Sequence, residues 1–128
     1  MRDRTKQYDN VLMTAPIVGI VCSLAGAGPE GATVASGAAE FQTVGPLTSI
    51  TVSDNAIINY SQFNIGLNET VQFIQPDASS RVLNRITGAG PSQIDGALLA
   101  NGQVYLVNPS GVIFGPDSIV NVGTLFAG

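Results

Sequence analysis

The sequence predicts an all-β fold, and three observations carry that prediction. Short runs rich in β-branched and aromatic residues recur at intervals of roughly 8–12 residues, the spacing of all-β chains. Gly, Pro, Asn and Asp stand between them, as tight turns require. Beyond Gly28 no window of about 11 residues or more carries a 3.6-residue period, so no amphipathic helix is expected. Pattern alone leaves two architectures open. One is a sandwich; the other is a parallel β-helix, whose coils stack at about 4.8 Å.

Thr48–Val52 (TSITV) alternates apolar and polar residues, the period-two signature of a half-buried strand. Asp54-Asn55 turns the chain and Ala56–Tyr60 resumes extended structure. Phe63-Asn64-Ile65 is closed by Gly66, and Glu69–Ile74 (ETVQFI) alternates again with Val71 and Phe73 on one face. Gln75-Pro76-Asp77 ends that strand. Arg81–Thr87 (RVLNRIT) fits a strand or a single helical turn and is closed by Gly88-Ala89-Gly90-Pro91. Ser92–Gly96 suggests a short turn, and Ala97–Ala100 runs into Asn101-Gly102, a favoured tight-turn pair. From Asn101 to Gly123, Gln103–Val107, Val112–Phe114 and Ile119–Val122 alternate with turns. Asn108-Pro109-Ser110-Gly111 fits a type I turn. Asn is first, where its side chain can bond the backbone; Pro is second with φ already set; Gly is last.

The N-terminal segment has a different character. Arg2, Arg4 and Lys6, three of the five basic residues, precede an uncharged run from Val11 to Gly28 that passes through Ala25-Gly26-Ala27. A basic start, an apolar run and a small-x-small end describe a secretory signal peptide over residues 1–27. The competing reading is a transmembrane anchor, because the run matches the shortest spans. Pro16, Gly19, Gly26 and Gly28 weaken a permanent helix and no basic stop signal follows, so cleavage after Ala27 and no stable membrane insertion are expected. Cys22 would leave with that segment, and a lipid-attachment role is disfavoured by Val21 where a small residue is needed. Residues 28–47, rich in Gly, Ala, Ser and Thr, read as a loosely held lead-in and cap; residues 48–128 read as the β domain.

Charge and composition exclude several function classes. Beyond residue 27 only Arg81 and Arg85 oppose Glu30, Glu40, Asp54, Glu69, Asp77, Asp95 and Asp117. Nucleic-acid binding needs clustered cations to displace phosphate counterions, so it is not expected. Some β-helices cleave polysaccharides with paired carboxylates roughly 5–10 Å apart. Here the acids sit beside turn residues, the chain has no His, and neither Cys nor Lys occurs beyond residue 27. No enzyme, cofactor or metal is expected. A carbohydrate-binding or adhesive module remains the alternative. It would need aromatic residues in line on an exposed strand face; Phe41, Tyr60, Phe63, Phe73, Tyr105, Phe114 and Phe126 mostly alternate inward, and Trp is absent.

Five blocks decide between the architectures. They are Asn59–Ile65 (NYSQFNI), Val71–Pro76 (VQFIQP), Leu83–Gly88 (LNRITG), Pro91–Gly96 (PSQIDG) and Ala100–Gly115 (ANGQVYLVNPSGVIFG). In this order the chain resembles the N-terminal two-partner secretion, or haemagglutination activity, domain of filamentous-haemagglutinin-type exoproteins. The resemblance implies a right-handed parallel β-helix with an N-terminal cap. It also implies a bacterial exoprotein that crosses the periplasm unfolded and is bound by the periplasmic domains of an outer-membrane β-barrel transporter. Folding outside, coil upon coil, then makes a surface-exposed or secreted adhesin. Members of the family continue beyond the Val122–Ala127 phrase, so the chain reads as a β-helix truncated at its C-terminus. Any glycan on a host or other surface would be met by a passenger beyond Gly128.

The resemblance assigns transporter recognition and fold nucleation to particular positions. Asn108, Pro109, Ser110, Gly111 and Val112 match the family's Asn-Pro-Asn-Gly-Ile motif, with Ser for the second Asn and Val for Ile. Phe63 and Asn64 match its Phe-Asn-Ile block. A second family motif, Asn-Pro-Asn-Leu, is absent. The bland reading of Asn64 and of the Asn108–Gly111 turn is that each only shapes the backbone.

Overall fold

The computed structural model describes residues 28–128, so the expected signal segment 1–27 lies outside the described residues. Twelve strands follow one another, with no helix among the described residues. They are β1 (Thr33–Ser36), β2 (Ala39–Val44), β3 (Leu47–Val52), β4 (Ala56–Tyr60), β5 (Thr70–Ile74) and β6 (Arg81–Ile86). Then come β7 (Ser92–Ile94), β8 (Ala97–Ala100), β9 (Gln103–Val107), β10 (Val112–Phe114), β11 (Ile119–Asn121) and β12 (Thr124–Ala127).

These strands wind as a parallel β-helix of about four turns. Sheet one has the order β1-β4-β6-β9-β12, sheet two β2-β3-β5-β8-β11, and sheet three pairs β7 with β10. Successive coils stack in register: Leu47 pairs with Thr70, Thr70 with Ala97 and Ala97 with Ile119. On sheet three the first coil contributes a single bridge, Ile65 to Ile94. Arg81–Ile86 is therefore a strand, not a helical turn. Ser92–Ile94, read from sequence as a turn, is also a strand. Its residues find their partners only in the coils on either side, which local propensity does not register.

Two strands lie in the stretch 28–47, where composition suggested only a loose lead-in. β1 pairs antiparallel with β4, and β2 forms a hairpin with β3. Gly45 (φ 57°) followed by Pro46 makes its two-residue turn, matching the II′ pattern of a left-handed first position. These antiparallel strands cover the N-terminal edges of sheets one and two, which would otherwise offer open ladders. Small side chains suit that crossing: Ala32 and Ala39 are buried against the core.

Side chains of equivalent positions stack along the axis. Ala56, Val82, Val104 and Leu125 form one inward column, and Val71, Leu98 and Val120 another. Burying each large aliphatic side chain contributes about 1.5–3 kcal/mol, the main source of stability in a chain without disulfides among its described residues. One column contains a polar layer. Asn84 sits between Ile58 and Leu106, fully buried. It accepts a hydrogen bond from Tyr60 Oη at 2.8 Å and donates from Nδ2 to the Tyr105 carbonyl at 3.1 Å.

Candidate functional site

The sequence-matched positions converge on the corner between sheets one and three. Phe63 is 1% exposed and meets Tyr60 edge to face, with ring centroids 5.1 Å apart. Such pairs add about 0.5–1.5 kcal/mol to simple burial. Next to it Asn64 turns its side chain toward the following coil, where Oδ1 accepts the Gln93 N–H at 2.8 Å. The first coil has only begun its sheet-three pairing at Ile65, so the Asn64 amide supplies the rung that its backbone does not.

From the other side, Asn108 of the third coil reaches the same strand. It is 1% exposed. Its Nδ2 donates to the Gly90 carbonyl at 3.1 Å and to Ser92 Oγ at 3.0 Å, while Oδ1 accepts the Ser110 N–H at 2.9 Å. The turn closes as expected, with Gly111 N–H donating to the Asn108 carbonyl at 2.8 Å. Ser110 is not among the residues with positive φ and Gly111 has φ 103°, which fits type I and excludes type II. Pro109 and Ser110 form the exposed tip, and Val112 is half-buried against the core, paired with Ser92. Thus β7 is held from both axial directions, by Asn64 below and Asn108 above. Phe63 anchors the corner from inside.

A second corner, between sheets two and one, was not singled out from the sequence. Gln75 is 5% exposed, and its Nε2 donates to the Ser80 and Gln103 carbonyls, both at 3.0 Å. Its Oε1 accepts the Gly102 N–H at 2.9 Å. Asn101 brackets the Gln75 backbone, accepting its N–H at 2.7 Å and donating to its carbonyl at 2.8 Å. Asn101-Gly102 is therefore a corner between two sheets: β8 and β9, on either side of it, do not pair with each other. A Cβ at Gly102 would lie 2.7 Å from Gln75 Nε2, so any larger residue there must displace the clamped amide. The signal was present in the alternation. Val71, Phe73 and then Gln75 face one way, as do Val82, Asn84 and Ile86, and Val104, Leu106 and Asn108.

The carboxylates serve corners. Asp54 Oδ1 accepts the Arg81 N–H at 3.0 Å, Glu69 Oε1 the Gly66 N–H at 3.0 Å, and Asp95 Oδ1 the Gln93 side-chain amide at 2.9 Å. Asp77 accepts hydrogen bonds from the Ser79 and Ser80 hydroxyls, which lower its pKa below the ordinary carboxylate value. Among the described residues no three His, Cys, Asp or Glu gather closely enough to hold a metal ion.

A parallel β-helix closed by antiparallel strands at its N-terminal end, with amide-clamped corners, defines the class: a capped β-solenoid. Residues 25–128 match the TPS secretion domain family, and the chain belongs to it. This is the secretion domain of two-partner secretion exoproteins, not an enzyme family. The fold is similar to the crystal structure of the HMW1 secretion domain from Haemophilus influenzae. The TM-score is 0.76 with 46% identity, over 77% of this chain and 26% of that one. Two proteins named heme/hemopexin-binding protein, both from Haemophilus influenzae, are 45% identical over 100 residues and 42% over 88. Those matches cover 77% and 69% of this chain but only 11% and 10% of the relatives' length.

Proposed function

We propose that this chain targets a larger exoprotein for secretion and nucleates its β-helix. TPS secretion domains work with an outer-membrane transporter, and exoproteins of this kind pass through the periplasm to the surface or the medium. In this reading residues 1–27 direct export to the periplasm, residues 28–47 close the N-terminal end, and residues 48–128 carry the signal and the first coils. The burial of Asn108 carries the reading. A side chain 1% exposed offers a folded-state receptor almost nothing, yet it fixes three polar groups of the corner. Its role after passage is to set the corner that the following coil builds on. Any reading of Asn108 by the transporter's periplasmic domains takes place on the extended chain, where strand addition to a sheet edge suits an unfolded segment.

The test is export with the transporter co-expressed, comparing wild type with Asn108→Ala and with Pro109→Ala/Ser110→Ala at the exposed tip. Asn108→Ala is expected to reduce the folded, exported product severalfold, while the tip variant retains most of it. Equal export of wild type and Asn108→Ala would remove the nucleating role from this turn. Adhesion, and any glycan contact, belong in this reading to the exoprotein's other parts.

A further inference from the structure

We propose that the outer face of sheet one is a docking surface for a second copy of this chain, which presents the acidic corner between sheets three and two. The register of sheet one aligns Ile57, Leu83, Tyr105 and Phe126 in an outward column crossing four strands. Tyr105 and Phe126 stack with centroids 5.7 Å apart, and Phe126 is 58% exposed. A concavity of about 330 Å³ indents this face, lined by Ile57, Leu83, Tyr105 and Arg81 among others. Arg81 and Arg85, the two basic side chains of residues 28–128, both stand exposed on β6 of this face. Arg85 uses Nε to reach Asn59 Oδ1 at 2.9 Å, which leaves four of its five guanidinium hydrogens outside that bond.

The matching surface lies elsewhere on the same molecule. Where each coil passes from sheet three to sheet two it carries one carboxylate, Glu69, then Asp95, then Asp117. Leu67 and Ile119, 61% and 60% exposed, flank them around a cleft of about 500 Å³. All three carboxylates line this one cleft, so their mutual repulsion is relieved by cations brought against them. One face is apolar with arginines; the other is apolar with carboxylates.

Charge selects this arrangement over the symmetric one. Face-to-face docking of sheet one on itself would oppose Arg81 and Arg85 to their own copies. Docking face to corner pairs opposite signs, and because the two patches differ the contact is heterologous and can propagate laterally. Overall negative charge opposes any association. At about 0.15 M salt, however, the screening length is about 8 Å, so the distributed repulsion is damped while contacting pairs persist. Higher salt is then expected to weaken the assembly, the reverse of association driven by apolar surface alone.

Sedimentation velocity of the full chain across a concentration series, in low and high salt, tests this. The expected result is concentration-dependent association that R81E/R85E weakens at least tenfold and that D117K weakens likewise. All three positions are exposed, and circular dichroism checks that each variant keeps its β signature. Mixing R81E/R85E with D117K is expected to restore association, because the unchanged arginine face of D117K then meets the unchanged acidic corner of R81E/R85E. A wild type that is monomeric throughout overturns the proposal. So does association that survives R81E/R85E, or a mixture that stays as dissociated as its components. If R81E/R85E loses the β signature, Arg85→Ser alone, which removes the charge without reversing it, is expected to weaken association as well. Its failure to do so counts against the proposal equally.

Discussion

Among individual residues, the most demanding placement is Asn84, an amide inside an aliphatic column. It is tolerated because Tyr60 Oη and the Tyr105 carbonyl satisfy it from the coils on either side. Losing one partner leaves a buried polar atom unpaired, which costs about 1–3 kcal/mol. Tyr60→Phe and Asn84→Leu are each expected to destabilise by about that much in chemical denaturation. The double variant is expected to lose less than the sum, because the apolar pair leaves no mutual polar group unsatisfied. Strict additivity would show that the two groups do not depend on each other. The pH dependence follows from the same site. Burial holds the Tyr60 hydroxyl neutral well above its ordinary value near 10. Because the folded pKa is raised, the stabilisation is complete below about pH 10 and is lost as pH climbs through the folded value. The stability gap between wild type and Tyr60→Phe should therefore narrow in alkali and stay constant toward neutral pH.

At the level of elements, each strand is ordinary and the corners are exacting. The alternation in Thr48–Val52 and Glu69–Ile74 was legible in the sequence, because period two follows from backbone geometry alone, and Ala56–Tyr60 and Gln103–Val107 were legible as extended, β-rich runs. Ser92–Ile94 was not legible, because its stability comes from partners about a full coil away in either direction. The Asn108–Gly111 turn could be read for its type but not for what its side chain touches. Gly90 and Ser92 are adjacent to it only once the coils stack. Gly96 marks such a corner: a Cβ there would run into the backbone carbonyls of Glu69 and Gly66. Gly111 has a positive φ of 103° but open space around it. Gly96→Ala is thus opposed by rigid backbone and Gly111→Ala by local conformation only, about 1–2 kcal/mol. Denaturant midpoints should fall further for Gly96→Ala. The opposite order would mean that the corner relaxes more freely than its packing suggests.

For the molecule as a whole, the ladders connect each coil chiefly to its immediate neighbours. Sheet one runs β4 to β6 to β9 to β12, and no strand of the first coil pairs with the third. Stability in such a stack is close to a sum of coil and interface contributions, so protection against opening is expected to be graded along the axis. β6 is paired on both sides, by β4 and by β9, and its inward residues Val82, Asn84 and Ile86 are all buried. β11 and β12 each pair on one side only, and Val120 and Phe126 are 39% and 58% exposed. Amide hydrogen exchange on this 128-residue chain should therefore be slowest for the hydrogen-bonded amides of Arg81–Ile86 and fastest, among strands, for those of Thr124–Ala127. Asn108→Ala extends the test, because Asn108 ties the third coil to Gly90 and Ser92 of the second. Its loss should raise exchange in β9, β10 and β12 while leaving β3 and β4 nearly unchanged. A uniform rise across all strands would show instead that the coils open as one cooperative unit. Growth from a nucleated N-terminal end requires the graded pattern, since a coil can template the next only if it stays closed while its successor is still open.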